Sequence, residues 1–248
     1  MSAAIAGWRV LIPRGGSWGD SAAGRLHDVG AIPVIAPLIE FAGTQDAEAL
    51  VAGLRELADG SFDWLVVTSA TTARVLEGVI IPASTKVAAV GEVTATQLER
   101  AGIPVDFIPN HDFSAAALLA EWPGATPSRI FLPQSAIAPP ALADGLRAAG
   151  NDVVAVSAYR TMSVAAPPEL ASQVRSGEIR AVLVTSGSVA REVAAQLAPV
   201  PATTALVYIG ARTATEAAAL GLPTGVIAAH QSVEAMIESL IQCAEDQL

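Results

Sequence analysis

An internal repeat constrains the fold of this chain more than any other feature of its sequence. Four landmarks recur in the same order about 120 residues further along the chain. Most of them are short apolar runs that end in small polar residues. The matched pairs are 10–14 with 130–134, 65–69 with 182–186, 90–104 with 209–223, and His111 with His230. Because chance rarely reproduces four landmarks in one order, we interpret the chain as an internal duplication.

Each copy of the repeat alternates the patterns of strands and helices. Runs such as 64–67 and 87–90 are short, apolar and bounded by turn residues, as is typical of buried strands. Segments 22–29 and 94–101 have the apolar spacing of a helix, and a glycine follows each of them. Such alternation is typical of a parallel sheet with helices on both faces. The sequence therefore predicts two similar α/β domains.

The composition argues against a membrane protein. Apolar residues make up 52% of the 248 residues. No uninterrupted apolar run approaches the ~18 residues that a membrane span needs. The first residues also lack the basic region and the long apolar region of a secretion signal. We therefore expect a cytoplasmic protein that does not bind membranes.

Charge and residue usage exclude further classes of protein. The net charge of −10 argues against nucleic-acid binding, which needs a basic surface. The single lysine, Lys86, does not follow a glycine-rich turn, and Gly15, Gly16 and Gly19 lack the spacing of a dinucleotide site. Cys243 is the only cysteine, and the histidines belong to no cluster of metal-binding residues. We expect neither a metal nor an organic cofactor.

The strand-to-helix turns are the expected ligand site, because ligands of parallel α/β sheets collect at the carboxyl ends of the strands. These turns are rich in serine, threonine and glycine, and they contain few groups that could act as a base. Their hydroxyls can cap helices, or they can join backbone N–H groups in binding carboxylates or phosphates. The sequence leaves both interpretations open. The six turns are 13–18, 68–72, 91–94, 134–138, 185–189 and 210–213.

Taken together, several of these segments resemble the uroporphyrinogen-III synthase family. The most characteristic of them contains the triplet Tyr159-Arg160-Thr161. The segments that carry the resemblance are 10–14, 30–31, 37–40, 62–69, 90–92, 150–161, 185–189 and 209–214. Each motif is weak by itself, but in this order the motifs cover nearly the whole chain.

The resemblance implies a particular domain organisation. It is an α/β fold of two similar flavodoxin-like parallel-sheet domains, joined by a two-stranded linker, with a ligand cleft between them. Residues 1–38 and 162–248 form a discontinuous domain 1, and residues 39–161 form an inserted domain 2. A simple tandem arrangement that splits near Pro127 is the alternative that the sequence leaves open.

The resemblance also implies an activity, that of a cyclising lyase in tetrapyrrole (haem) biosynthesis. The family substrate, hydroxymethylbilane, loses water and closes with ring D inverted, through a spiro intermediate, to give uroporphyrinogen III. Loss of the hydroxyl needs a proton donor. The resemblance makes Tyr159 the candidate donor, assisted by Thr213, and implies no cofactor. The expected substrate-binding residues are Arg14, Ser69, Ala70, Thr71, Gly91, Thr94, Ser135, Arg160, Ser186, Gly187, Ser188, Gly210 and Arg212.

Two other functions are compatible with the sequence. A non-catalytic two-lobed protein that binds a small anionic ligand would share the duplication, the cleft and the hydroxyl-rich turns. A regulatory protein that kept the fold without the activity would share them too. For an active enzyme we expect a monomer that makes transient contact with the preceding enzyme of the pathway.

We predict that activity will survive the removal of metals, because the sequence contains no cluster of metal-binding residues. The rate of uroporphyrinogen III formation should stay within about twofold after exhaustive chelation and dialysis, since no metal-bound state would be lost. A rate that falls on chelation and returns when one metal is added would contradict this expectation.

Overall fold

The computed structural model describes residues 4–110, 113–125 and 127–246. Over these residues strands and helices alternate as predicted, which confirms the α/β class. No helix in the described part of the chain combines the length and the apolar character that a membrane span requires. The strands are β1 (Arg9–Arg14), β2 (Ile32–Gly43), β3 (Trp64–Val67), β4 (Lys86–Ala89), β5 (Arg129–Ser135), β6 (Asp152–Ser163), β7 (Ile179–Val184), β8 (Ala205–Tyr208) and β9 (Val226–Ile227). The helices are α1 (Gly16–Asp28), α2 (Ala47–Ala58), α3 (Ala70–Val75), α4 (Glu92–Arg100), α5 (Ala115–Ala120), α6 (Ala141–Ala148), α7 (Leu170–Arg175), α8 (Gly187–Leu197), α9 (Ala211–Ala219) and α10 (Val233–Glu245).

The chain divides into two compact units. Unit 1 contains Met1–Glu40 and Met162–Leu248, and unit 2 contains Phe41–Thr161. The chain passes from one unit to the other within β2 and returns within β6. His111, which closes the first copy of the repeat, lies outside the described residues.

The sheet of unit 1 has the strand order β2-β1-β7-β8-β9, and its strand pairs are parallel. Alternate side chains of a strand point to opposite faces of a sheet. Leu11 and Val182 pack in a core with residues of α7, α8 and α9, whereas Val10 and Leu183 pack in a second core with residues of α1 and α10. Because both faces are buried, these strands are continuous apolar runs without a polar side.

The sheet of unit 2 follows the same design, with the order β4-β3-β5-β6 and parallel pairs. Leu65 and Phe131 pack with residues of α2, α3 and α4 on one face. Val66 and Leu132 pack with residues of α5 and α6 on the other. Each unit is therefore a doubly wound α/β structure of three layers.

Seven of the described helices begin after a serine or a glycine. Serine caps α3, α5, α8 and α10, and in each case its hydroxyl accepts the N–H of the third residue along. Glycine precedes α1, α4 and α9, where no side chain caps the first turn. The first N–H groups of a helix have no partner within the helix. The three helices that begin after a glycine therefore have more N–H groups without an acceptor than the serine-capped helices have.

We predict that Gly53→Ala will destabilise unit 2. Gly53 lies in α2, and a Cβ there would overlap the ring of Phe131, which is buried and stacks on Phe62. Overpacking costs ~1–3 kcal/mol, which exceeds the ~1 kcal/mol that alanine gains over glycine in a helix. Urea denaturation should show a net loss of up to about 2 kcal/mol in the free energy of unfolding.

The matched control is Gly24→Ala in α1, because a Cβ at that position meets no atom within 4 Å. This change should raise the free energy of unfolding by up to ~1 kcal/mol. Similar losses in the two variants would show that contact with Phe131 does not decide the outcome.

Candidate active site

The site residues predicted from the sequence lie at strand ends, in the first turns of the helices that follow, or in β6 opposite the end of β5. They form two groups, one in each unit. The group in unit 1 is Arg14, Ser186, Gly187, Ser188, Gly210, Arg212 and Thr213. The group in unit 2 is Ser69, Ala70, Thr71, Gly91, Thr94, Ser135, Tyr159 and Arg160. Parallel strands bring each group to one edge of its sheet.

Tyr159 lies in β6 with only 8% of its surface exposed. Its hydroxyl is 3.2 Å from Ser69 Oγ, and either oxygen can be the donor. The ring meets Phe41 edge-on, with the centroids 5.6 Å apart. Ser135 pairs with Tyr159 in the β5–β6 register, and the carbonyl of Tyr159 accepts the N–H of Ala136. These contacts fix both the ring and the direction of the phenol.

Ser69 connects Tyr159 to the start of α3. Its Oγ accepts the N–H of Thr72 at 3.0 Å and lies 2.9 Å from Thr72 Oγ1. Thr72 is fully buried. Three hydroxyls, those of Tyr159, Ser69 and Thr72, therefore form a chain at this strand end. Ala70 and Thr71 occupy the first two positions of α3, where N–H groups have no partner within the helix.

The corresponding turn of unit 1 has a similar cap. Ser186 Oγ accepts the N–H of Val189 at 3.2 Å, as Ser69 does for Thr72. Ser188 Oγ instead accepts a hydrogen bond from Arg191 Nη2 at 3.0 Å. Capping, one of the two interpretations that the sequence left open, is thus correct for Ser69 and Ser186. The hydroxyls of Thr71 and Ser188 are not the caps of their helices.

Gly91 and Gly210 begin α4 and α9 in extended backbone conformations. Neither helix has a side-chain cap, so the first N–H groups point out of the strand ends without an internal partner. Thr94 and Thr213, the third residues of these helices, are both buried. Any hydrogen bond that Thr213 donates therefore comes from a buried side chain in the first turn of α9.

The three predicted arginines have different surroundings. The Arg14 guanidinium lies 5.4 Å from the centre of the Trp18 ring, in a cation–π contact. Arg160 Nε donates to the carbonyl of Gly43 at 3.0 Å. Arg212 Nε donates to Glu216 Oε1 at 3.0 Å, and the Arg212 side chain is 73% exposed. Arg212 therefore presents the most accessible positive charge of the three.

Sequence reasoning missed two buried hydroxyls next to the predicted residues. Within the described part of the chain, Ser157 Oγ and Thr185 Oγ1 are buried and have no hydrogen-bond partner. Thr185 directly precedes the cap Ser186, and Ser157 lies two residues before Tyr159. Their positions beside recognised motifs were the available signal, but the sequence could not show that they lack partners.

The described residues also offer no assembled metal site. Among them, no three His, Cys, Asp or Glu side chains lie close enough to hold a metal ion together. The expectation that the activity needs no cofactor stays a prediction.

The fold and the placement of these residues define a class of protein, namely α/β proteins with doubly wound parallel sheets and a ligand site at the strand ends. The family model described as uroporphyrinogen-III synthase HemD matches residues 20–238. The chain belongs to the uroporphyrinogen-III synthase family, which confirms the resemblance seen in the sequence. As a member it is a cyclising lyase of tetrapyrrole (haem) biosynthesis, and the family substrate is a small tetrapyrrole.

Solved structures show the same fold. A mutant uroporphyrinogen III synthase from the extremely thermophilic bacterium Thermus thermophilus matches with a TM-score of 0.66 and 19% identity, over 97% of this chain and 100% of that one. The wild-type enzyme from the same bacterium, in a second crystal form, gives 0.53 and 17%, over 97% and 99%. The synthetase from Helicobacter pylori 26695 gives 0.60 and 16%, over 96% and 99%. No curated protein matches the sequence significantly.

We predict that Thr185→Val will weaken substrate binding without loss of stability. A buried hydroxyl without a partner costs ~1–3 kcal/mol, so replacing it by a methyl group should keep or raise the free energy of unfolding. We expect the Thr185 hydroxyl, next to the helix cap Ser186, to donate to bound substrate, so KM should rise about tenfold. Urea denaturation and steady-state kinetics measure the two effects.

Thr204→Val is the matched control. Thr204 is also buried in unit 1, but its Oγ1 donates to the carbonyl of Ile179 at 2.7 Å. Its loss should lower the free energy of unfolding by about 1–2 kcal/mol and leave KM unchanged. Equal destabilisation by both changes would show that Thr185 has a structural partner.

Proposed function

We propose that this chain converts hydroxymethylbilane to uroporphyrinogen III, with loss of water and inversion of ring D. The observation that carries the proposal is the family match, which spans residues 20–238 and includes every residue of the two strand-end groups except Arg14. A non-catalytic binding protein is not favoured, because the matched family consists of enzymes. The finer proposals below concern the residues that perform the reaction.

Tyr159 is the proposed acid for the departing hydroxyl. Breaking the carbon–oxygen bond leaves a hydroxide, which becomes water when it takes a proton, and a fixed donor lowers that barrier. Support comes from the hydrogen bond to Ser69 and the ring contact with Phe41, which orient the phenol. Ser69 itself is held by the N–H of Thr72. We assign Thr213 an assisting role at the start of α9.

The remaining predicted residues are proposed to bind the substrate. Several carboxylates of a tetrapyrrole require donors, and the overall charge of −10 makes local donors necessary. The helix starts in both units supply unsatisfied N–H groups next to small residues, which let the ligand come close. The proposed set is Arg14, Ser69, Ala70, Thr71, Gly91, Thr94, Ser135, Arg160, Ser186, Gly187, Ser188, Gly210 and Arg212.

The proposed functional domains are residues 1–38 with 162–248 and residues 39–161. The two compact units, whose boundaries fall at Glu40 and Thr161, support this division. We also propose a monomer that acts in the cytoplasm without a cofactor. Because the linear substrate can close spontaneously without inversion, transient contact with the preceding enzyme would shorten the time that the substrate spends free.

The decisive experiment supplies the purified protein with enzymatically generated hydroxymethylbilane and separates the type I and type III products. Positioning of the reacting rings is the source of inversion, so the active protein should yield mainly the type III isomer. A product mixture identical to that of the reaction without protein would contradict the proposed function.

We predict that Tyr159→Phe will lower the rate of type III formation by about 10²- to 10³-fold, as loss of a donor to a leaving oxygen typically does. Phenylalanine keeps the contact with Phe41 and loses only the hydrogen bond to Ser69, so the free energy of unfolding should fall by about 1 kcal/mol. Single-turnover kinetics on the purified variant measure the rate.

Tyr208→Phe is the matched control, since the chain has two tyrosines. Tyr208 is buried in β8, its hydroxyl donates to the carbonyl of Pro223 at 2.8 Å, and burial raises its pKa. Loss of the Tyr208 hydroxyl should lower stability and leave the rate unchanged.

Alanine at Ser69, Ser186 or Ser188 should change the rate by less than about tenfold, because backbone N–H groups remain. If Tyr159→Phe has the wild-type rate, Tyr159 is not the acid and another residue has that role.

A further inference from the structure

Glu216 of α9 lies against the first turn of α8. A Cβ at Gly187, the first residue of α8, would collide with Oε2 of the Glu216 carboxylate. The other oxygen, Oε1, accepts the hydrogen bond from Arg212 Nε, one helical turn earlier on α9. A single carboxylate therefore joins Arg212 to the start of α8.

The contact leaves most of the Arg212 guanidinium available. A guanidinium has five N–H groups, and Glu216 takes the one on Nε. Among the described residues, the Nη groups of Arg212 have no hydrogen-bond partner. Two such groups side by side match the two oxygens of a carboxylate. The exposed end of Arg212 is thus a ready ligand for a carboxylate from solution.

The start of α8 supplies further donors beside this guanidinium. The N–H groups of Gly187 and Ser188 have no partner within the helix, whereas Ser186 satisfies that of Val189. The strands that precede α8 and α9 are adjacent and parallel, so both helix starts lie at the same edge of the sheet. The Arg212 guanidinium and the backbone N–H groups at the start of α8 therefore lie at the same edge of the unit 1 sheet.

The first copy of the repeat, which lies in unit 2 at the positions that match Gly187, Arg212 and Glu216, has different residues at all three of them. The caps Ser69 and Ser186, and the glycines Gly91 and Gly210, fix which positions correspond. Unit 2 has Ala70, Val93 and Gln97 where unit 1 has Gly187, Arg212 and Glu216. Unit 2 thus lacks the charged pair, and it also lacks the glycine that accommodates the carboxylate. A surface ion pair alone would not require that glycine.

We propose that Glu216 is a positioning residue that holds Arg212 beside the α8 turn, so that the Arg212 guanidinium and the α8 N–H groups bind one carboxylate of the substrate together. The inference rests on the proposed function and deepens it. Glu216 does not touch the substrate; it fixes the direction of the guanidinium that does. Unit 1 would accordingly provide a carboxylate subsite that the corresponding corner of unit 2 does not have.

Gly187→Ala is the sharpest test, because it keeps every charge. The new Cβ would displace the flexible end of the Glu216 side chain, and Arg212 would lose its fixed direction. KM for enzymatically generated hydroxymethylbilane should rise about tenfold, while kcat stays within about twofold, since a carboxylate contact remote from the reacting carbon binds ground and transition states equally. The thermal midpoint should stay close to that of the wild type.

Two changes at Glu216 complete the test. Glu216→Ala should raise KM as Gly187→Ala does, and the double variant should be no worse than either single variant. Glu216→Gln keeps an amide oxygen that can accept from Arg212 Nε, so it should retain part of the wild-type affinity. If Gly187→Ala lowers the thermal midpoint, Glu216→Ala decides the matter, because it only removes atoms.

Two variants control for the type of change. Gly24→Ala is a glycine-to-alanine change in open space in α1, and Asp144→Asn breaks an exposed ion pair with Arg147 on α6. Neither should change KM. Wild-type KM in both Gly187→Ala and Glu216→Ala would overturn the positioning role. Absence of type III product from the wild-type protein would instead refute the proposed function.

Discussion

Each parallel sheet in this chain needs cover on both faces, because its strands carry apolar side chains on both sides. The helices that connect the strands cover these faces. Each connecting helix brings the chain back to the edge at which the previous strand began, so that the next strand runs parallel to it. Every strand-to-helix turn therefore falls at one edge of its unit. This requirement gathers small and polar residues that lie far apart in the sequence, and it leaves little polar surface elsewhere in the sheet.

At that edge, helix capping and chemistry use the same atoms. Ser69 satisfies the N–H of Thr72 and also contacts the Tyr159 hydroxyl, so a structural hydrogen bond orients a proposed catalytic group. A residue of this kind cannot be assigned to structure or to function alone. The same holds for the start of α8, where a cap, a glycine and a carboxylate from α9 meet.

Each unit has one such edge, and the two edges differ in charge. Unit 1 places Arg212 and Glu216 at the start of α9, whereas unit 2 has Val93 and Gln97 at the corresponding positions of α4. Unit 2 instead contains Tyr159 and its hydroxyl partners.

The sequence by itself determined the α/β class, the positions of most strands and helices, and the strand-to-helix turns where the proposed site residues lie; the family resemblance added Tyr159 as the proposed acid. Local periodicity and a recognisable order of motifs carry that information. Only the tertiary structure placed Ser69 beside Tyr159, 90 residues away, and the Glu216 carboxylate against Gly187. It also revealed that the Thr185 hydroxyl lacks a partner among the described residues. The physical reason is that strand order and side-chain direction decide these contacts, and neither can be deduced from the apolar spacing of a single segment.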